Sequence, residues 1–234
     1  RRGMVSVMLR YRWHSLPPLF VRTHCILWNL MSRLHLHILG SGSKGNCALI
    51  EGPQGLIMVD DGLSRRETLK RMAELGLSAD DVSALVVTHE HSDHIKGLEV
   101  WCKHWNGPIF SSRGTLTSKE SLAHLPVEEF DPGDTLSIAG VHIQTYSTSH
   151  DVVNPVGYRF DAQGDSVGFA TDTGELSKHA IDTLKDCRIL ALESNHDVTM
   201  LRQCDYPRFL QERILSVKGH LSNDQAADAA RALV

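Results

Sequence analysis

Paired cysteines are missing from this chain. Its five Cys (Cys25, Cys47, Cys102, Cys187, Cys204) are scattered, odd in number and never spaced Cys-x-x-Cys. That excludes a disulfide framework and a thiolate zinc site, and it points to a reducing, cytosolic setting. Long apolar runs are also missing. The N-terminal apolar pieces, residues 16–21 and 25–31, are broken by Arg22 and His24 and are too short to span a bilayer, so no membrane partner is expected. The formal net charge is -4 with His neutral, so no global basic field announces nucleic acid, although bound cations would change the local field. Acidic residues do not occur before Glu51, while Arg1, Arg2, Arg10, Arg12, Arg22 and Arg33 all do. Such a leader suits an organellar transit peptide, and a signal sequence less well; the preferred reading is non-native sequence upstream of a start at Met31. Residues 1–33 are therefore expected to be an extension outside the fold.

What is present is enough for one domain. A chain of 234 residues, 41% hydrophobic and 22% charged, can bury a full core as a single α/β unit. Leu34, Leu36 and Ile38 alternate with His35 and His37, which predicts a half-buried strand with the two His on its solvent face. The run Gly40-Ser41-Gly42-Ser43-Lys44-Gly45-Asn46 follows. Its backbone N–H groups suit an anion cradle, but it is not a P-loop, because the Lys precedes the last Gly. Residues 48–50 and 56–59 read as a hairpin ending at Asp60-Asp61-Gly62, with Asp60 placed to orient a neighbouring ligand or simply to form a turn. Ser64 to Glu67 is a capping box that opens a helix.

The apolar strand Ala84-Leu85-Val86-Val87 then gives way to Thr88-His89-Glu90-His91-Ser92-Asp93-His94. Four potential metal ligands fall within six residues, in an order that does not match a zinc-binding helix. Past a strand end such side chains can converge on one point, and imidazoles beside a carboxylate suit zinc, manganese or iron at a catalytic site. The fourteen His of the chain fit that reading. Residues 95–105 suggest a helix, and hairpins are expected at 136–145 and 157–170. A helix near 177–185 precedes a strand at 189–192. One feature recurs: each apolar run delivers a polar ligand type just past its end, namely His89, His150, Asp172 and Glu193. Two layers of strands with helices outside would gather these groups in a single cleft.

With these residues assembled, residues 34–234 resemble the metallo-β-lactamase superfamily. His89-x-His91-x-Asp93-His94 matches its signature loop, and His150 and Asp172 fall at its third-motif His and bridging Asp. Gly40 to Cys47, Ser149-His150-Asp151, Glu193-Ser194-Asn195-His196-Asp197 and Gly219-His220-Leu221-Ser222-Asn223 are similar to its small YycJ/WalJ-type hydrolases, relatives of ribonuclease Z. The resemblance implies a four-layer αββα sandwich. It implies that His89, His91 and His150 hold one divalent ion, that Asp93 and His94 hold a second, and that Asp172 bridges them. The ions would be zinc or manganese; no Cys stands beside these motifs to serve the second. Asp93, Glu193 and His220 are the implied catalytic residues, with Asp93 orienting a metal-bridging hydroxide and the Glu193/His220 pair protonating the leaving group. His196 is open between a phosphate contact and a satisfied structural role.

The family pattern continues past a final helix to a strand carrying one more His ligand, and that strand is absent from the sequence. The domain is therefore expected to be incomplete at its C-terminus, with a weakened second metal site and one bare sheet edge. The implied activity is a dinuclear metal-dependent phosphodiesterase of the cytoplasm acting on nucleic acid, with DNA exonuclease the leading substrate class. Fewer than fifty positions separate Asp172 from His220, too few for an inserted clamp domain, so surface loops must grip the substrate. Hydrolysis of a small phosphodiester, thioester or lactone is the alternative, and a metal-binding module without turnover is a third.

Overall fold

The structure, a computed structural model, describes residues 33–233 together with a strand at residues 4–9. The apolar pieces at 16–21 and 25–31, Cys25 and the start expected at Met31 lie outside the described residues. Two six-stranded sheets form the centre. In one, β2 (His35–Gly40), β3 (Cys47–Gly52), β4 (Gly55–Val59), β5 (Val82–Val87), β6 (Ile109–Ser112) and β7 (Val127–Phe130) lie side by side in chain order. In the other, β8 (Thr135–Ile138), β9 (Val141–Ser147), β10 (Val156–Ala162), β11 (Asp165–Ala170) and β12 (Ile189–Ser194) are followed at the edge by β1 (Met4–Leu9).

Three apolar layers follow from the period-two alternation of strand side chains. Along β5, Ala84 and Val86 enter the core between the sheets, and Leu85 and Val87 enter a second core under helices. A strand buried on both faces is a continuous apolar run, which is why residues 84–87 carry no polar position. The second core is closed by Met72 of α1 (Arg65–Glu74) and by Leu98 and Trp101 of α3 (Leu98–Cys102), which follows the short α2 (Ser92–Ile95). On the outer face of the other sheet, Leu190 and Leu192 of β12 meet Leu184 of α4 (Lys178–Leu184) and Ala226, Ala230 and Leu233 of α7 (Asn223–Leu233). Between them run α5 (Val198–Gln203) and α6 (Arg208–Leu215). The order helix, sheet, sheet, helix is the αββα sandwich.

Several local expectations come out differently. The helix expected over 95–105 is two pieces broken at Gly97, whose N–H bonds to Asp61 O (2.8 Å) and whose missing Cβ would lie 2.0 Å from Leu63 O. The chain is pinned there to the end of β4, and a continuous helix cannot make that contact. Residues 1–33 were expected to stay outside the fold, with one sheet edge bare. Met4–Leu9 instead pairs antiparallel with β12, from Met4 opposite Ser194 to Leu9 opposite Ile189. An edge strand offers unpaired N–H and C=O groups, and a β-prone segment satisfies them. The capping box at Ser222 closes in both directions: Ser222 Oγ accepts from Gln225 N (3.2 Å), and Gln225 Oε1 accepts from Ser222 N (2.9 Å). At Ser64 only half forms, since Glu67 turns to Arg71 (2.8 Å). His37, on the face away from the inter-sheet core, meets Glu51 across the strand pair at 2.9 Å.

Candidate metal centre

The centre is built upward from the ends of β4 and β5. Asp60, buried and held at φ 59° just past β4, directs its carboxylate at three donors. Thr88 N and Thr88 Oγ1 reach it at 2.8 Å each, and His94 Nδ1 at 2.7 Å. These bonds set tautomers. The Thr88 hydroxyl spends its proton on Asp60, so it accepts from His89 Nδ1–H at 3.0 Å. His150 Nδ1 faces the carbonyl of Gly219 at 3.0 Å, and a carbonyl can only accept. His89, His94 and His150 therefore each turn an Nε2 lone pair inward when neutral.

Those lone pairs converge. His91 Nδ1 lies 3.1 Å from both His89 Nε2 and His150 Nε2. Asp172 Oδ2 is 3.5 Å from His89 Nε2, 3.3 Å from His94 Nε2 and 3.8 Å from His150 Nε2. One ligand atom from each of His89, His91, His150 and Asp172 falls within 4.8 Å of all the others. His91 Nδ1 can donate to at most one of its two imidazole neighbours, so the remaining lone pairs oppose one another unless a cation sits between them. Burial keeps the imidazoles of His89, His91 and His150 below their ordinary pKa, hence neutral and fit to ligate. Three neutral imidazoles and a carboxylate, with the far nitrogens of His89 and His150 anchored on Thr88 and Gly219, form a donor set suited to a divalent transition ion.

Asp93 and His94 form the neighbouring group, with His94 Nε2 3.8 Å from Asp93 Oδ2. Burial opposes charge on His94, but the carboxylates of Asp172 and Asp60 on either side outweigh it and raise its pKa well above the ordinary value. An environment that favours a proton there also favours a cation in its place. Burial likewise works against ionised Asp172, yet His94 and His89 hold its pKa well below the usual carboxylate range. Asn46 was not singled out by sequence reasoning. Its Nδ2 donates to Asp93 Oδ2 (3.0 Å) and faces His94 Nε2 (2.9 Å), while its Oδ1 accepts from Gly42 N (2.7 Å). Asn46 N also bonds to Asp93 O (2.7 Å), and Gly45 N to Gly42 O (2.9 Å). Three N–H groups of the glycine-rich loop are thus spent on the loop itself and on the ligand segment, so the loop braces the second group of ligands instead of cradling an anion.

On the opposite wall, Glu193, the penultimate residue of β12, is buried among four donors. Oε1 accepts from His220 Nδ1 (2.6 Å) and Asn195 Nδ2 (3.3 Å), and Oε2 accepts from Thr173 N (3.0 Å) and Leu221 N (3.3 Å). Burial pushes the Glu193 carboxyl up, and its bond to His220 draws it part of the way back. Burial also opposes the His220 imidazolium, but Glu193 and Asp172 outweigh it and raise the pKa above the ordinary imidazole value. Atoms of Asp172, Glu193 and His220 fall within 4.8 Å of one another, and the His220 ring centroid is 5.0 Å from that of His150. The eight residues expected from sequence, His89, His91, Asp93, His94, His150, Asp172, Glu193 and His220, thus lie together at the strand ends. His196 differs from its structural reading: both ring nitrogens are buried with no hydrogen-bond partner among the described residues. Sequence reasoning also missed Arg213, which clasps Asp151 beside His150 at 2.5 and 3.0 Å and carries no motif of its own.

Comparison with known proteins agrees with this geometry. Residues 56–234 match the Beta-lactamase superfamily domain family. The chain is 36% identical over 198 residues to exodeoxyribonuclease YycJ of Bacillus anthracis, covering 83% of this chain and 75% of that protein. It is 34% identical over 198 residues to exodeoxyribonuclease WalJ of Streptococcus pneumoniae serotype 2, covering 82% and 74%. Ribonuclease Z of Mycobacterium bovis is 30% identical over 179 residues, covering 60% and 63%. Among solved structures, the MIM-2 metallo-beta-lactamase aligns with a TM-score of 0.56 at 16% identity, covering 86% of this chain and 84% of its own, which speaks to fold alone. A two-sheet sandwich, ligands gathered at its strand tips and a family match over most of the length lead to one conclusion: the chain belongs to the metallo-β-lactamase branch of the beta-lactamase superfamily.

Proposed function

We propose that this protein is a dinuclear metal-dependent phosphodiesterase that acts on nucleic acid as an exodeoxyribonuclease. The observation that carries the proposal is the Glu193–His220 pair, bonded at 2.6 Å and facing Asp172 across the ligand cluster. A thioester's thiolate departs with little help, whereas the alkoxide leaving a phosphodiester needs a proton. Glu193 holds Nδ1 of His220, which keeps the opposite nitrogen available as the acid. The names of the YycJ and WalJ relatives support the same substrate class.

In this reading His89, His91 and His150 would hold one ion and Asp93 and His94 the other, with Asp172 available to both. The ions, zinc or manganese, would supply Lewis acidity to the phosphoryl oxygens and activate water. Asp60 and Thr88 lock the imidazoles in their ligating tautomers, Asn46 holds Asp93 and His94 together, and Asp93 orients the attacking water. Among the described residues no helix is long and apolar enough to cross a membrane, and the cytosol is the proposed setting. The test is release of mononucleotides from end-labelled duplex DNA with manganese or zinc. Loss of that release in His220→Ala, with thioester hydrolysis unaffected, supports the proposal. No nucleotide release with either metal transfers the site to a small diester or thioester.

A further inference from the structure

Residues 198–218, between β12 and His220, take no part in the chemistry above, and their surface is unusual. Helix α6 has no buried residue. Of the large apolar side chains that stand exposed, four fall here: Met200 (48%), Tyr206 (51%), Phe209 (73%) and Val217 (61%). Four such side chains within eighteen positions, two of them aromatic, exceed the single exposed apolar residues a surface ordinarily carries, and a partner would cover them. The same stretch, residues 198–218, carries Arg202, Arg208, Arg213 and Lys218 against Asp205 and Glu212, on a chain whose net charge is -4. Arg202, Arg208 and Lys218 are exposed.

This surface is continuous with the metal centre. Ser149 Oγ donates to Val217 O (2.6 Å), His150 Nδ1 to Gly219 O (3.0 Å), and His220 N to Ile214 O (3.0 Å). Arg213 of α6 is bonded to Asp151 beside the ligand His150. α6 and the segment after it are therefore tied by hydrogen bonds to Asp151, His150 and His220.

We propose that α6 and the residues on either side of it form the grip for a single-stranded nucleic-acid end, with unpaired bases stacked on Tyr206 and Phe209 and their phosphates on Arg208 and Lys218. The inference rests on the phosphodiesterase reading and adds to it the strand form of the substrate and the residues that hold it. Flat aromatic faces beside cations accept any base, because stacking reads no sequence. Charge complementarity favours a polyanion over a second copy of a chain that is itself acidic.

The test is fluorescence anisotropy of a fluorescein-labelled oligothymidylate with phosphorothioate linkages, added to the metal-loaded protein, so that binding is read without turnover. Phe209→Ala and Tyr206→Ala should each weaken binding about fivefold or more, within the range of one lost base stack. Phe209→Trp should restore the affinity and show fluorescence quenching on saturation. Leu75→Ala, an exposed apolar change on another helix end, should leave binding unaltered. Arg208→Ala combined with Lys218→Ala should lower the slope of log affinity against log salt by roughly 1.4, about 0.7 for each phosphate contact on a single strand. Unchanged affinity in both alanine variants, while the wild type binds and cleaves, overturns the grip and leaves the phosphodiesterase reading intact. Sedimentation showing a wild-type dimer that Phe209→Ala dissociates, with oligonucleotide affinity unchanged, assigns the surface to a second copy and also overturns it. A wild type that neither binds nor cleaves any nucleic acid removes the underlying reading itself.

Discussion

Replacing Glu193 by Gln separates proton delivery from metal binding. The carboxylate receives four donors, from His220, Asn195, Thr173 and Leu221. A Gln side chain keeps one acceptor oxygen and turns an NH₂ toward at least one of those donors. One buried donor is left unmatched, at a cost of about 1–3 kcal/mol measurable by urea unfolding. His220 then loses the partner that raises its pKa. The sign follows from linkage: a raised imidazolium pKa contributes stability that is complete below the ordinary value and fades as pH rises through the folded one. The stability gap between wild type and Glu193→Gln should therefore be widest at acidic pH and narrow toward alkaline pH. In catalysis the protonated form of His220 is lost at lower pH in the variant, so the alkaline limb of kcat should move down. General acid help is worth about 10²–10⁴-fold, so kcat on a thymidine dinucleotide should fall by about a hundredfold or more. On bis(p-nitrophenyl) phosphate, whose leaving group needs no proton, the loss should stay under about tenfold. Metal content, measured by mass spectrometry, should not change. Equal losses on the two substrates, or an unaltered rate on the dinucleotide, would refute the acid role of His220.

Asp60→Ala removes the acceptor of three hydrogen bonds and frees the tautomers of His89 and His94, so metal affinity should fall about 10- to 100-fold in competition with a chromophoric chelator. Asp61 is buried, one of its carboxylate oxygens has no hydrogen-bond partner among the described residues, and burial raises its pKa from 3.8 to about 7. Its folded form binds the proton more tightly than the unfolded chain, so metal-free protein should lose stability as pH rises from about 4 to 7, by up to about 4 kcal/mol. Asp61→Asn should abolish that slope in melting curves taken across this range; an unchanged slope removes Asp61 as its source. Gly62→Ala would bring a Cβ within 1.6 Å of Asp93 O and 2.7 Å of Asn46 N, backbone atoms on both sides. It should cost about 3 kcal/mol or more and loosen the Asp93 ligand segment, read by unfolding midpoint and metal stoichiometry.

Elements whose cause is local were legible in the chain itself. The alternation of Leu34, Leu36 and Ile38, the doubly buried run of β5 and the reciprocal cap at Ser222 each depend on neighbours a few residues away. So did the ligand types waiting past each strand, because an apolar run that stops abruptly at His or Asp places that side chain at a sheet tip. Short-range pattern could not say which distant group answers each of them. The proton on His150 is set by the carbonyl of Gly219, 69 positions away, and Asp93 is braced by Asn46, 47 positions away. Nor could it foresee the break at Gly97, where the nearest obstacle is the backbone of Leu63, or the pairing of Met4–Leu9 with β12. Residue chemistry and spacing determined that this chain carries His and Asp groups able to hold a metal on a two-sheet scaffold. Tautomer and the bracing of Asp93 by Asn46 were decided by packing, since each depends on contacts that exist only once separate strand ends share one face.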